Sequence, residues 1–160
     1  MIGGWQLGGV LLFQSGPFMT VTVPGPDPAG NGFNLLVGNV RADLNPGVPL
    51  YASTKTAKQW LNPAAFAVPK SNIGRYPTAP VGNIVGPGTE ALSMSLTKSV
   101  RITESVRFQI GAHAANLFNH VNYAPPNTTL NTAPFGTISN VQTAEGAGPR
   151  QIQITSRLTF

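Results

Sequence analysis

Gln151-Ile-Gln-Ile-Thr-Ser-Arg-Leu-Thr-Phe160 alternates polar and apolar side chains up to a closing phenylalanine. Side chains on a β-strand point alternately to opposite faces, so Ile152, Ile154, Leu158 and Phe160 share one face. Gln151, Gln153, Thr155, Arg157 and Thr159 share the other. A tilted strand needs roughly 9 to 11 residues to cross the hydrocarbon layer of a bilayer. Strands of soluble domains average about 5 to 6. Taken alone, the segment fits either a transmembrane β-strand or a long edge strand of a soluble β-domain.

Composition shifts the balance toward the membrane. Only 9% of the 160 residues are charged, against roughly 25% in soluble domains. Glycine (18) and proline (15) together exceed a fifth of the chain, which favours strands and turns. No run approaches the ~18 consecutive apolar residues of a spanning helix, whereas barrel strands leave no such hydropathy signal. The formal charge is +5, but the ten basic residues are dispersed and form no stripe, so nucleic acid is not an expected partner. The absence of cysteine excludes disulfide frameworks, thiolate metal sites and thiol catalysis. Met1-Ile-Gly-Gly-Trp5 has neither the basic nor the apolar region of a secretory signal. An exported protein of this sequence is therefore expected to be a fragment.

Three further segments repeat the alternating pattern. In residues 3–14, Trp5, Leu7, Leu11 and Phe13 share a face. In residues 90–101, Leu92, Met94, Leu96 and Val100 oppose Ser93, Ser95, Thr97, Ser99 and Arg101. Lys98 interrupts that apolar face close enough to the strand end to snorkel toward headgroups. In residues 105–117, Val106, Phe108, Ile110, Ala112 and Ala114 oppose Arg107, Gln109, Gly111, His113 and Ala115. The fourth strand covers residues 150–160. Phe18-Met-Thr-Val-Thr-Val23 extends the first strand's β-pattern as a ribbon rising out of the membrane, and Pro24 stops it.

The connections between strands are long (about 15–89), short (102–105) and long (about 119–149). The first carries ten of the fifteen prolines between Pro24 and Gly88 and reads as a structured loop without a core. Its one helix-like piece is Thr54 to Ala67, kept short by Pro63 and Pro69. Short periplasmic turns and long extracellular loops alternate in this way in membrane barrels. That rule puts Trp5, Ile102 to Ser105 and Phe160 at the periplasmic rim. Trp5, Phe108 and Phe160 then belong to one aromatic girdle, and Phe13 and Phe118 to the other. The expected fold is all-β: an antiparallel meander of about four long transmembrane strands, an open segment of an outer-membrane barrel, with two long extracellular loops.

Several segments carry a family resemblance. They are Gly4-Trp-Gln-Leu-Gly-Gly9, Phe13-Gln-Ser-Gly-Pro-Phe18, Gln59-Trp-Leu-Asn-Pro-Ala-Ala-Phe66, Leu96-Thr-Lys-Ser-Val-Arg-Ile-Thr-Glu-Ser-Val-Arg-Phe108, Asn116-Leu-Phe-Asn-His-Val-Asn122 and Pro149-Arg-Gln-Ile-Gln-Ile154. In this order they resemble the C-terminal end of TonB-dependent outer-membrane receptors. The likeness is closest to the Oar-like receptors with an N-terminal carboxypeptidase-regulatory-like domain. The resemblance implies a roughly 22-stranded barrel around a plug, in the outer membrane of a Gram-negative bacterium, taking up nutrients with energy relayed from the inner membrane. The chain matches the last four strands, and the plug, the TonB box and a signal peptide have no counterpart in it. The resemblance also implies that Ile152, Ile154, Leu158 and Phe160 form the signal read by the barrel-assembly machinery, with Ser156 departing from a fully apolar pattern. The implied partners are outer-membrane lipid, the remaining barrel strands, the plug and that machinery.

No constellation for catalysis is visible. His113 and His120 are the only histidines, and Asp27, Asp43, Glu90, Glu104 and Glu145 are scattered, so neither an enzyme, nor a cofactor, nor a metal site is expected. Gly86-Pro-Gly-Thr89 lacks the lysine and helix of a phosphate loop. In the barrel reading, Arg101, Arg107, Gln109, His113, Gln153 and Arg157 face the lumen, where they touch a plug or ligand or satisfy one another and water. Phe33, Tyr51, Trp60, Phe66, Tyr76 and Tyr123 are the aromatic candidates for ligand contact in the outer loops, with loop packing as their other role. The competing class is a secreted β-sandwich binding or adhesion module, in which Leu92, Leu96, Phe108 and Ile110 would be covered by a second sheet.

Overall fold

The computed structural model describes residues 3–32 and 38–160. In chain order its strands are β1 (Trp5–Gln14), β2 (Phe18–Met19), β3 (Thr22–Pro24), β4 (Asn39–Arg41), β5 (Asp43–Leu44) and β6 (Tyr51–Thr56). They continue with β7 (Gln59–Leu61), β8 (Phe66–Ala67), β9 (Ile84–Val85), β10 (Thr89–Arg101), β11 (Arg107–Ala115) and β12 (Gln151–Thr159). The described residues contain no α-helix, only the 3-10 turns Pro63–Ala65 and Ala144–Gly146. The chain is all-β and divides into two units, residues 1–14, 88–122 and 141–160 in one and residues 15–87 and 123–140 in the other.

The first unit is a four-stranded antiparallel sheet in the order β1-β10-β11-β12. Its register converts four separate alternations into two continuous faces, because directly opposed residues on paired strands share a side of the sheet. One cross-strand row is Leu7, Leu96, Ala112 and Ile154, and the next is Gly9, Met94, Ala114 and Ile152. The intervening rows on the other side are Gln6, Thr97, Gly111 and Thr155, then Gly8, Ser95, His113 and Gln153. Between β10 and β11 the chain reverses over residues 102–106. Ile102 N donates to Val106 O at 2.8 Å, and Val106 N donates to Thr103 Oγ1 at 3.0 Å.

The opposite end of this sheet is tied by two buried asparagines. Asn116, in the left-handed region at φ 48°, donates through Nδ2 to the carbonyls of His120 and Gly148, both at 2.7 Å. Asn122 donates to Ala147 O at 2.9 Å and accepts from Glu90 N at 2.8 Å. Both side chains are 1% exposed, so each buried amide is compensated by hydrogen bonds. They hold residues 116–122 and 144–150 to the end of the sheet.

The second unit corrects the expectation of a loop without a core. Val21, Val23, Ala42, Leu61, Ala65, Phe66, Ile84 and Leu130 form a buried cluster, with Met19, Leu44, Tyr51, Trp60 and Phe135 packed on it. Phe66 and Phe135 meet edge to face at 5.8 Å, a favoured aromatic geometry. Residues from both long connections build this core. Thr22 N donates to Thr128 O at 3.0 Å, Leu130 N to Thr22 O at 2.8 Å, and Ile138 N to Ala57 O at 2.7 Å.

The helix-like piece at Thr54 to Ala67 is instead the hairpin β6-β7 followed by one 3-10 turn. The turn has Pro63 in its first position and Asn62 as its cap, whose side chain accepts from Ala64 N at 3.1 Å. Proline fits the start of such a turn because no partner is needed for its missing N–H. The segment 18–23 is likewise no single ribbon. β2 pairs with β9, while β3 pairs with β4.

One ion pair fastens the surface of this unit. Arg75 grips Asp43 with both guanidinium arms, at 2.8 and 2.7 Å. Thr78 N donates to the same carboxylate at 2.9 Å, and Thr78 Oγ1 accepts from Leu44 N at 2.9 Å. The Arg75 hydrogen bond, helped by Thr78, lowers the Asp43 pKa against the opposing effect of burial.

Two outcomes follow from this core and its clasp. Leu61, fully buried, is expected to cost the second unit ~2–5 kcal/mol when replaced by alanine. Limited proteolysis of residues 15–87 in the complete protein measures this, and Tyr76→Ala, at a ring 70% exposed, leaves the cleavage rate near that of the parent. For pH, a carboxylate with a lowered folded pKa stabilises above its unfolded value and loses that contribution as pH falls through the folded one. The unit is therefore expected to become protease-sensitive on acidification below about pH 4. Arg75→Ala shrinks the acid-dependent increment while lowering resistance at neutral pH.

Candidate functional site

The chemistry of the first unit lies in the contrast between its two faces. Trp5, Leu7, Leu11, Phe13, Leu92, Met94, Leu96, Val100, Phe108, Ile110, Ile152, Ile154 and Leu158 stand on one side by register. Among the described residues no second sheet covers them: Leu96 is 43% exposed, Ile110 45% and Ile154 74%. A contiguous apolar surface of this kind is not left to water in a soluble protein, and a β-sandwich would have enclosed it. Trp5 and Phe13 mark its ends on β1. Eight residues at ~3.3 Å along a strand tilted ~40° span about 20 Å of bilayer normal, near the ~25 Å apolar band of outer-membrane barrels. Phe108 lies in the same end rows as Val100 and Leu158, Phe160 extends just beyond β12, and Phe118 is exposed past the opposite end.

Two charged residues interrupt this face, Glu90 opposite Phe13 at one end and Lys98 near the other. Lys98 stands opposite Trp5, its Nζ donates to Gly3 O at 2.6 Å and lies 4.9 Å from the Trp5 ring centroid. The ammonium is thus satisfied by the carbonyl of Gly3 and the aromatic face of Trp5.

The other face is polar apart from Val10, Leu12 and Ala91 toward the long-connection end of β1 and β10. Arg101, Arg107, Gln109, His113, Gln153 and Arg157 all stand on it, with Gln153 opposite His113 and Arg157 opposite Gln109. Beside His113 and Gln153 its middle carries short side chains, and Thr155 and Thr97 close over Gly111, where a Cβ would come within 2.9 Å of Thr155 Oγ1 and 3.3 Å of Thr97 Oγ1. Among the described residues no group of three or more His, Cys, Asp or Glu is placed to hold a metal ion. His120 sits in the asparagine clamp, with Nδ1 3.2 Å from Asn122 Oδ1. What this arrangement does is divide a lipid-compatible surface from a water-compatible one.

In the second unit the aromatic candidates separate. Phe66 is in the core at 5% exposure. Tyr51 and Trp60 are half-buried, Lys55 Nζ lies 4.0 Å from the Tyr51 ring centroid and 5.5 Å from that of Trp60, and Tyr51 OH accepts from Val85 N at 2.8 Å. Tyr123 is half-buried. Tyr76 is exposed and lines a small apolar cavity of about 170 Å³ with Pro28, Val40 and Pro77. Asp27, also on its lining, spends its carboxylate on Gly30 N and Gly32 N, at 3.0 and 2.8 Å. Phe33 lies outside the described residues. Sequence reasoning missed the clamp of Asn116 and Asn122. The signal for it was the density of asparagines, including left-handed Asn116 and Asn119, directly after an alternating strand.

A family model described as an outer membrane beta barrel domain matches residues 1–153. No curated protein and no solved structure matches the chain. The matched residues contain β1, β10 and β11 in full and the start of β12, and so include the strands whose pairing makes one face apolar and the other polar. The chain belongs to the outer-membrane β-barrel domain family.

Proposed function

We propose that the chain is a stretch of barrel wall from the C-terminal part of a TonB-dependent, Oar-like receptor, contributing to nutrient uptake only within the complete protein. The observation that carries this reading is the register, which aligns four long alternations into one lipid-compatible and one water-compatible face. The connection lengths support it, because the one short turn lies at one end of the sheet and both long connections leave from the other. By the barrel rule the short turn is periplasmic and the second unit extracellular, in the outer membrane of a Gram-negative bacterium.

The roles of individual residues follow from that placement. Ile152, Ile154 and Leu158 meet lipid and, with Phe160, present the assembly signal. The polar face lines the lumen and meets the plug. Substrate contact falls to the second unit, with Tyr76 its most accessible aromatic. We assign the chain no catalytic chemistry and no cofactor, since its acids and histidines are engaged in turns or dispersed along the sheet.

Energy coupling is what distinguishes this reading from a passive barrel, and it is tested on the complete protein in detergent with the isolated periplasmic domain of TonB. Saturable binding of that domain is expected. A complete, folded barrel that shows no binding with or without substrate extracts from the native medium would remove the TonB-dependent assignment and leave the barrel wall.

A further inference from the structure

At the end of the sheet that carries the short turn, three guanidiniums gather on the polar face. Arg101 stands directly opposite Arg107, and Arg157 stands opposite Gln109, the next residue on the same face of β11. Like charges directly opposed on one face repel and destabilise the pairing unless something neutralises them. None of the three has a salt-bridge partner among the described residues. Glu104 lines the same polar concavity of about 460 Å³, with Gln6, Ser99 and Gln109, but does not reach ion-pair distance of any of them.

The wall beside this cluster is unusually low. In the adjoining rows Thr97, Gly111 and Thr155, then Gly8 and Ser95, form a path of short side chains bordered by Gln6, His113 and Gln153. A strip of short side chains running on from a concavity leaves room for an extended backbone, which a small anion would not need. Lipid phosphate is the wrong source, because the lipid-compatible face is the other side of the same strands. Carboxylates suit the guanidinium fork, which they can engage with two parallel hydrogen bonds.

We propose that Arg101, Arg107 and Arg157 anchor an acidic polypeptide segment that lies against the inner wall near the short-turn end of the barrel. The inference rests on the proposed lumenal placement of the polar face and names the chemistry of what occupies it there. Binding of two or more carboxylates relieves the Arg101–Arg107 repulsion, so occupancy and strand pairing reinforce each other.

The test uses the complete barrel protein with Arg107→Lys and, separately, Arg157→Lys. Both substitutions keep the charge and supply an amine that a zero-length carbodiimide joins to any carboxylate in contact, with the product mapped by peptide mass spectrometry. The expected result is an isopeptide link from position 107 or 157 to an aspartate or glutamate outside residues 101–109, absent from the unsubstituted protein. A link to Glu104 alone, or no link, overturns the anchor. A fluorophore at Thr97→Cys, read in liposomes with a quencher carried on the acyl chains, scores the placement separately. No quenching together with no link defeats the anchor and spares the barrel wall, whereas quenching defeats the lumenal placement itself.

Discussion

The in-register pairing of β10 with β11, and of each with its outer neighbour, is the constraint on which the rest of the first unit depends. Alternation along a strand says only that two faces differ. Pairing Leu7 with Leu96, Leu96 with Ala112 and Ala112 with Ile154 makes four such faces into one. Slipping β11 by a single residue would carry Gln109 and His113 into the apolar surface and Ile110 out of it. Charged side chains at the middle of a barrel's lipid face cost about 2–4 kcal/mol, and less near the rim. The one cation that the register does leave on this face, Lys98, lies near the short-turn end and has its own carbonyl and indole partners.

Two different solvents explain why one chain folds in two manners. The sheet buries little of its apolar face within the protein, and its outer strands β1 and β12 each have one side unpaired among the described residues. Such edges and such a face are stable only when other strands and lipid complete them. The second unit instead encloses Val21, Val23, Leu61 and Ile84 at full burial and clasps its surface with the Asp43–Arg75 pair. That is how a segment rich in proline and glycine, which forms no strand longer than β6, remains ordered.

The antiparallel meander was legible in the sequence because each of its strands runs for nine or more residues, long enough for a period of two to stand out. The second core was not legible for the converse reason. Its strands are mostly two or three residues long, and residues that share a cluster with Leu61, such as Val23 and Leu130, are separated from it by dozens of positions that show no period. Thr54 to Ala67 misled because Trp60, Leu61, Ala64 and Phe66 have a helical spacing, while Thr54 and Thr56 favour a strand and Pro63 admits only a short turn. The arginines of the polar face were visible one by one. Their gathering at one end required the register, since Arg101 and Arg157 lie on strands that do not touch in sequence or in the sheet.

The division of the sheet into a lipid face and a water face can be read directly along β12. The complete protein is reconstituted in liposomes with brominated acyl chains, and a fluorophore is placed by single cysteine substitution at each position from Gln151 to Thr159, a segment without native cysteine. Quenching should alternate, strong at positions 152, 154, 156 and 158 and weak at 151, 153, 155, 157 and 159. Uniform quenching, or protection of the even positions, would contradict a barrel strand with Ile152, Ile154 and Leu158 against lipid.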